Sequence, residues 1–378
     1  MVWVDILPQF MKINCSTELL STACQNVQRA ISGKTSIPAL EGILFSARNG
    51  RVRLTGFDLD MGIITEVEAK VEQEGEIIIN AKLLCDILRR LPEERVTIES
   101  DERMIIEIEC GQSNFSIIGI KADEYPDVPS IRMDNPIEIS QNVIKNMIRQ
   151  TIFSVDATEN KPIYKGICFD IKVGELKLVS TDGYRLSVRK EQINYNDVDL
   201  TFVVPAKTLS EVSKLVSDKE EPVCIYIERR HIVFQTENYR IISRLLDGEF
   251  LDYEKVLKTE GKMKVKINRR IFAESVERTS IVTNEKIRVA LRCVFNENSV
   301  KISCNTSIGK AMDKFFADIT GERIEIGFSN RYLLDALHNI EDDEVMLTLS
   351  GSNLPMLITP MQGDNYCYLI LPVRLKND

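Results

Sequence analysis

The sequence predicts an α+β protein built from three copies of one domain plan, and two observations carry that prediction. First, Gly42-Ile43-Leu44-Phe45 precedes Arg51-Val52-Arg53-Leu54 with Asp58 following, while Gly166-Ile167-Cys168-Phe169 precedes Glu175-Leu176-Lys177-Leu178 with Asp182 following. The glycine-to-aspartate interval is sixteen residues in both. The register persists, because Glu124-Tyr125-Pro126-Asp127 returns as Glu249-Phe250-Leu251-Asp252. Second, the triplet Lys82-x-Leu84-x-Asp86 recurs as Lys207-x-Leu209-x-Glu211 and Arg331-x-Leu333-x-Asp335, 125 and 124 residues on. Units of this length are too long for a short-period solenoid and suit a pseudo-symmetric set of α+β domains.

Each unit opens with a short strand and then a helix. Ser16, Ser140 and Asn268 stand where an N-cap side chain accepts a bond from an otherwise orphan backbone N–H. Helical spacing follows in Leu20, Ala23, Val27 and Ala30, and again in Ile144, Met147, Ile148 and Ile152. Alternating runs at 51–55, 175–179 and 299–303 read as strands. A second helix, carrying the basic-apolar-acidic triplet, comes later in every unit. Pro126, Pro129 and Pro136 mark the first connection and the segment 258–262 the second. The expected organisation is an N-terminal extension at 1–10 and domains at 11–133, 134–260 and 261–378.

With 378 residues, 44% hydrophobic and 28% charged, the chain has room for two to three domains of ordinary globular composition. No run of eighteen apolar residues occurs, so a membrane-spanning helix is not expected. The nine cysteines are scattered without a C-x-x-C pair, which fits a reduced, cytoplasmic compartment better than a disulfide framework. The first ten residues contain the sole tryptophan, Trp3, but lack the basic and apolar regions of a secretory signal.

Catalytic chemistry is nearly absent from the pattern. His231 and His338 lie in different units, and no G-x-S-x-G elbow is present. Ser32-Gly33-Lys34-Thr35 resembles the end of a phosphate-binding loop, but that loop needs glycine where Gln28 stands, and the segment closes a helix where such a loop opens one. Asp58 with Asp60, and Asp342 with Asp343, read as turn residues; no metal site and no cofactor is expected.

Basic residues on the helices are more informative. Arg29, Lys145, Arg149, Arg269, Arg270 and Arg278 belong to the first helices, and Lys82, Arg89, Arg90, Lys207, Lys214 and Arg331 to the second. Singly each reads as a solvated helix face. Recurrence at matched positions would bring them to one surface, while the net charge of −9 keeps the remainder negative. Such a surface binds phosphates locally, without sequence specificity.

Four motifs then carry a family resemblance: Leu178-Val179-Ser180-Thr181-Asp182-Gly183-Tyr184-Arg185-Leu186, Leu246-Asp247-Gly248-Glu249-Phe250-Leu251-Asp252-Tyr253, the segment ending Asn284-Glu285-Lys286, and Leu371-Pro372-Val373-Arg374-Leu375. Over residues 11–378 the chain resembles the bacterial DNA polymerase III beta subunit, the sliding clamp family. The resemblance implies the DNA clamp fold, a head-to-tail ring-shaped homodimer with helices around a central hole and antiparallel sheets outside, and no catalysis. Double-stranded DNA would pass through the hole. The residues implied to face it are Arg29, Lys34, Lys82, Arg89, Lys145, Arg149, Lys161, Lys207, Arg269, Arg270, Arg278 and Arg331.

The resemblance also implies an apolar groove that takes short peptides from the polymerase alpha subunit, the clamp loader and repair polymerases or mismatch-repair proteins. Its wall would include Tyr164, Thr181, Gly183, Leu186, Leu251 and Val256. The chain end would supply Leu369, Leu371, Pro372, Val373, Arg374 and Leu375. Leu251 stands where many members have proline, Tyr164 replaces an aliphatic residue and Val373 a methionine, which alters pocket shape while keeping it apolar. On its residues alone, the run 368–371 reads as a core edge strand, and Lys376-Asn377-Asp378 as a tail. Localisation would be cytoplasmic, at bacterial replication forks. Two rival readings are a monomeric three-domain peptide scaffold and a nucleotide-dependent enzyme built on Gly33-Lys34-Thr35.

Overall fold

The computed structural model describes residues 10–33, 35–158, 161–258, 261–283 and 290–375. Lys34, most of the N-terminal extension, the segment 284–289 and the tail 376–378 lie outside the described residues. Two compact units are present: one takes residues up to Gln141 together with Lys214–Leu245, the other Asn142–Ser213 and residues from Leu246 onward. These units do not follow the repeats, because strand pairing joins part of one repeat to the next.

Seven α-helices occur among the described residues: α1 (Thr17–Val27), α2 (Ala81–Leu88), α3 (Gln141–Ile152), α4 (Ala206–Leu215), α5 (Tyr253–Leu257), α6 (Arg269–Ser280) and α7 (Asn330–Asn339). Side-chain caps start α1 and α6 as expected, with Ser16 Oγ accepting from Leu19 N (3.4 Å) and Asn268 Oδ1 from Ile271 N (3.0 Å). Asn80 caps α2 in the same way at 3.0 Å. Helix α1 buries Leu20, Ala23, Cys24 and Val27, the stripe its spacing predicts. Three basic residues assigned to helices sit just beyond them: Arg29 is in the 3-10 turn Gln28–Ala30, and Arg89 is the C-cap of α2 with Arg90 following. The first helix passes into this 3-10 turn after Val27, its last α-helical residue.

Unit one contains a twelve-stranded antiparallel sheet. At its repeat junction Met61–Gln73 pairs with Tyr239–Arg244, placing Ile63 opposite Ile241 and Ile64 opposite Arg240. Unit two contains a nine-stranded and a four-stranded sheet. There the junction is Arg185–Gln192 against Tyr366–Ile370, with Leu186 opposite Leu369. The strand Tyr366–Ile370 also pairs with Met356–Pro360, so it is interior to its sheet and the edge-strand expectation for 368–371 is corrected. Its far neighbour comes from another repeat, which a local pattern does not reveal.

Burial follows the alternation of the strands. Val265, Ile267, Phe272, Phe295, Phe328 and Leu347 form part of one core in unit two, and Ile13, Phe45, Leu54, Leu84 and Ile98 are fully buried in unit one. All nine cysteines are unpaired thiols, seven of them buried. Among the described residues no helix is long and apolar enough to cross a membrane.

Candidate functional site: an apolar groove and the basic helix residues

In unit two an apolar cluster gathers beside the junction strands. Cys168, Val179, Leu186, Val188 and Leu369 are buried in it, and Leu251, Val256 and Leu371 pack against it half-exposed. Strand alternation explains the first group: Leu186 and Val188 are two residues apart on one strand and face the same side. Tyr164 is also buried, and its ring meets that of Phe250 edge-on at 5.6 Å. Tyr164, Leu186, Leu251, Val256, Leu369 and Leu371 are thus brought to one region. Burial pushes the Cys168 and Cys367 thiols up to about 12, so both are neutral apolar fillers near neutral pH.

The turn at 181–185 closes one end. Gly183 has φ +86, a left-handed conformation that favours glycine. Thr181 Oγ1 accepts from Gly183 N (3.0 Å) and donates to Arg185 O (2.7 Å). Asp182 Oδ1 accepts from Tyr184 N and Arg185 N at 2.9 and 3.0 Å. These bonds leave the Tyr184 side chain projecting into solvent, 63% exposed.

Arg185 lies beneath this turn, only 4% exposed. Its Nε donates to Asp182 Oδ2 (3.0 Å), and its two Nη groups donate to Asp335 on α7 and to Phe153 O. The guanidinium carbon sits 4.5 Å from the Tyr332 ring centroid and 5.5 Å from that of Phe153. Sequence reasoning did not single out Tyr184, Arg185 or Phe250 as site residues. The signal for Phe250 was its repeat counterpart Tyr125; for Arg185, a buried cation needs partners, and Asp335 is 150 residues away.

The chain end leaves this cluster. Leu371 N donates to Tyr184 O (2.9 Å), after which Val373 N donates to Gly327 O (2.8 Å). A Cβ on Gly327 would lie 2.3 Å from Val373 O and 2.8 Å from a Leu375 methyl, so glycine permits the close approach. Pro372 and Leu375 are half-buried, while Val373 and Arg374 stay exposed. Helix α5 is anchored behind the cluster by Tyr253, whose hydroxyl donates to Asp170 Oδ2. Burial, then that carboxylate, hold the Tyr253 phenol far above its ordinary value.

The basic residues divide by their partners. Lys82 and Arg270 are exposed and make no ion pair among the described residues. Arg89 lies 3.6 Å from Asp86, Arg149 pairs with Glu341, and Arg331 lies 3.6 Å from Asp335. Arg278 is held by Asp313 (2.7 Å) and Glu274 (3.5 Å). Arg269 donates to Asp342 O and Leu337 O, fastening α6 to the end of α7. Arg29, Lys145 and Lys207 are engaged in interactions of their own. Lys161 sits over the Tyr164 ring, its Nζ 4.9 Å from the centroid, which puts it beside the groove.

Three family models match in chain order: the DNA polymerase III beta subunit N-terminal domain over residues 11–129, its central domain over 138–252 and its C-terminal domain over 254–374. The Beta sliding clamp of Bacillus subtilis (strain 168) is 33% identical over 376 residues, covering 96% of this chain and 100% of that protein. The Beta sliding clamp of Staphylococcus epidermidis (strain ATCC 12228) is 31% identical over 356 residues, covering 92% and 94%. Among solved structures, a DNA polymerase sliding clamp from Bacillus subtilis superposes with a TM-score of 0.94 at 32% identity, over 97% of this chain and 100% of that one. A sliding clamp from Pseudomonas aeruginosa bound to griselimycin gives 0.91 at 28% identity, over 97% and 100%.

Proposed function

Because the chain belongs to the DNA polymerase III beta subunit family, we propose that it is a DNA sliding clamp: a homodimer that encircles duplex DNA and tethers the replicative polymerase to it. The family is one of processivity factors without catalytic activity. Tethering raises effective concentration and requires no bond-making residue. A cytoplasmic setting follows from this role. Within it, the basic helix residues serve as weak, sequence-independent phosphate contacts that allow sliding. The unit-two groove receives short peptides from the polymerase alpha subunit, the clamp loader and repair proteins, each anchored by one or two apolar side chains.

One observation carries the dimer. Among the strands that end their sheets are Ser113–Ile118 in unit one and Gly309–Phe316 in unit two. Both expose apolar residues, with Ile118 at 82%, Met312 at 62% and Phe316 at 89%. Exposed edges of this kind are templates for pairing with another chain. The repeat supplies the register. Ile64 corresponds to Val188 and then to Met312, each 124 residues on, while Arg240 corresponds to Asn114, 126 residues back, since the hairpin turn Thr236–Tyr239 matches Cys110–Ser113 and the bridge Val203–Leu246 matches Ile78–Ile120. Ile64 faces Arg240 at the internal junction, so Met312 of one protomer faces Asn114 of its partner. That contact is heterologous and closes into a ring of two.

The deciding experiment loads the protein onto nicked circular DNA and then linearises the circle. Loss of bound protein on cutting is the expected result, and retention equal to that on the intact circle overturns encirclement. Sedimentation separates the remaining rival, since a stable monomer at micromolar concentration would leave only a peptide-binding scaffold.

A further inference from the structure

Two cavities of about 440 and 460 Å³ adjoin in unit one, sharing Arg53, Ile64 and Arg240. The first lies between the junction strands and the segment that follows Tyr125. Its lining is the repeat counterpart of the apolar cluster in unit two. Leu44, Thr55 and Ile64 occupy the positions of Cys168, Val179 and Val188, each 124 residues on, and Tyr125 and Ile131 those of Phe250 and Val256, each 125 residues on. Strand pairing supports the match independently. Ile242 faces Gly62 as Leu369 faces Leu186, and Gly62 and Leu186 are themselves 124 residues apart.

What differs is the charge around the opening. Where unit two has Lys190, Gln192 and Thr201, unit one has Glu66, Glu68 and Glu76. Glu237 and Asp127, the latter matched by Asp252 in unit two, add two more carboxylates, against the guanidiniums of Arg51, Arg53 and Arg240. Glu66 already binds both Arg53 (2.8 Å) and Arg51 (3.5 Å), and Arg240 Nε donates to Gln235. Glu68, Glu76, Asp127 and Glu237 make no ion pair among the described residues. An occupant that completes this balance brings positive charge.

We propose that this unit-one groove is a second docking site, which takes a short extended peptide carrying an apolar anchor flanked by basic side chains. The inference rests on the unit-two cluster being a peptide site. The anchor fills the hollow over Ile64 and Ile242, and the basic residues meet Glu68, Glu76 and Glu237. Rim charges of this sort set specificity and salt dependence more than total affinity. The two grooves of one chain thereby sort partners by charge.

The test uses full-length protein labelled at isoleucine and leucine methyls, titrated with acetyl-KLRFK-amide, its charge-reversed counterpart acetyl-ELDFE-amide, and a clamp-binding peptide from the polymerase alpha subunit. Expected are shifts at Ile64 and Ile242 with the basic peptide, weakened about tenfold by Glu68→Lys with Glu237→Lys, two surface changes that leave the fold intact. Equal binding of the acidic peptide, or basic-peptide shifts confined to Leu186 and Leu369, overturns the proposal. So does silence at Ile64 and Ile242 while the polymerase peptide moves Leu186 and Leu369. If the polymerase peptide fails to move those two, the reading of unit two falls instead.

Discussion

Arg185 and Asp335 form an ion pair that joins the turn at one end of the apolar groove to helix α7 of the following repeat. The arginine side chain is 3% exposed and also carries Asp182 and Phe153 O, so one buried cation satisfies three acceptors from three places in the chain.

Removing that cation leaves carboxylates facing a buried gap. Arg185→Ala should cost about 3 kcal/mol in denaturant unfolding and weaken binding of a polymerase peptide, since the turn beneath Tyr184 loses its support. Arg331→Ala, which removes a 74%-exposed partner of the same Asp335, should cost under about 1 kcal/mol. Equal losses in the two variants would contradict the assignment of Arg185 as the buried tie.

Gly327→Ala tests the path of the chain end. Its new methyl would meet Val373 O at 2.3 Å, a separation backbone atoms do not tolerate, so residues 373–375 must shift. Peptide affinity measured by fluorescence anisotropy should fall about tenfold or more, while dimerisation is unchanged. An unaltered affinity would separate the groove from the tail.

Register at the proposed subunit contact is checked by cross-linking. Asn114→Cys with Met312→Cys should give a covalent ring under mild oxidation, because directly opposed strand residues lie within disulfide reach. Asn114→Cys with Lys314→Cys, two residues out of register, should react far less; a reversal would place the strands differently.

Phosphate contact should track ion-pair status on the helices. Arg270→Ala should lower the salt slope of DNA binding by about one. Arg278→Ala should change it less, because Asp313 and Glu274 already neutralise that guanidinium. Equal slopes would imply that Arg278 leaves its carboxylates when DNA is present.

Alkaline pH should destabilise the protein from about pH 9 upward. Burial raises Cys15 and Cys85 to about 11, and Cys168, Cys293 and Cys367 to about 12, from an ordinary 9.0. Folded pKa values above the unfolded ones mean that the unfolded chain releases protons first. Their contribution is therefore intact below pH 9 and is lost as pH rises toward 11–12, by about 1 kcal/mol per thiol per pH unit. Urea midpoints at pH 7.5, 9 and 10 should fall in that order, and Cys293→Ala should reduce the slope; a flat series would show that the thiols are accessible.

Local signals carried most of the fold. The caps at Ser16 and Asn268, the buried stripe of α1 and the strands after each glycine were legible because their causes span a few residues. The apolar groove was legible in part, since Leu186, Leu251, Val256 and Leu369 sit in motifs that the resemblance covers. What stayed hidden depended on distant pairing. Nothing near Ile64 announces Arg240, and nothing near Arg185 announces Asp335. The same blindness placed the run 368–371 at a sheet edge when its strand lies inside one, and set the helix-borne arginines in one class when their carboxylate partners divide them.

The strand junctions have a mechanical consequence. Each chain joins its repeats by antiparallel hydrogen-bond ladders at two places, and each of those ladders is backed by unbroken polypeptide. Ladders formed between two chains by the free edges would have the same geometry without that backing. Strain imposed on the proposed closed pair would then concentrate at the two intermolecular ladders, which would fracture first and leave the internal ones whole. The parting line of the proposed ring is thus set by which ladders lack a covalent bridge, not by any weaker chemistry at that point.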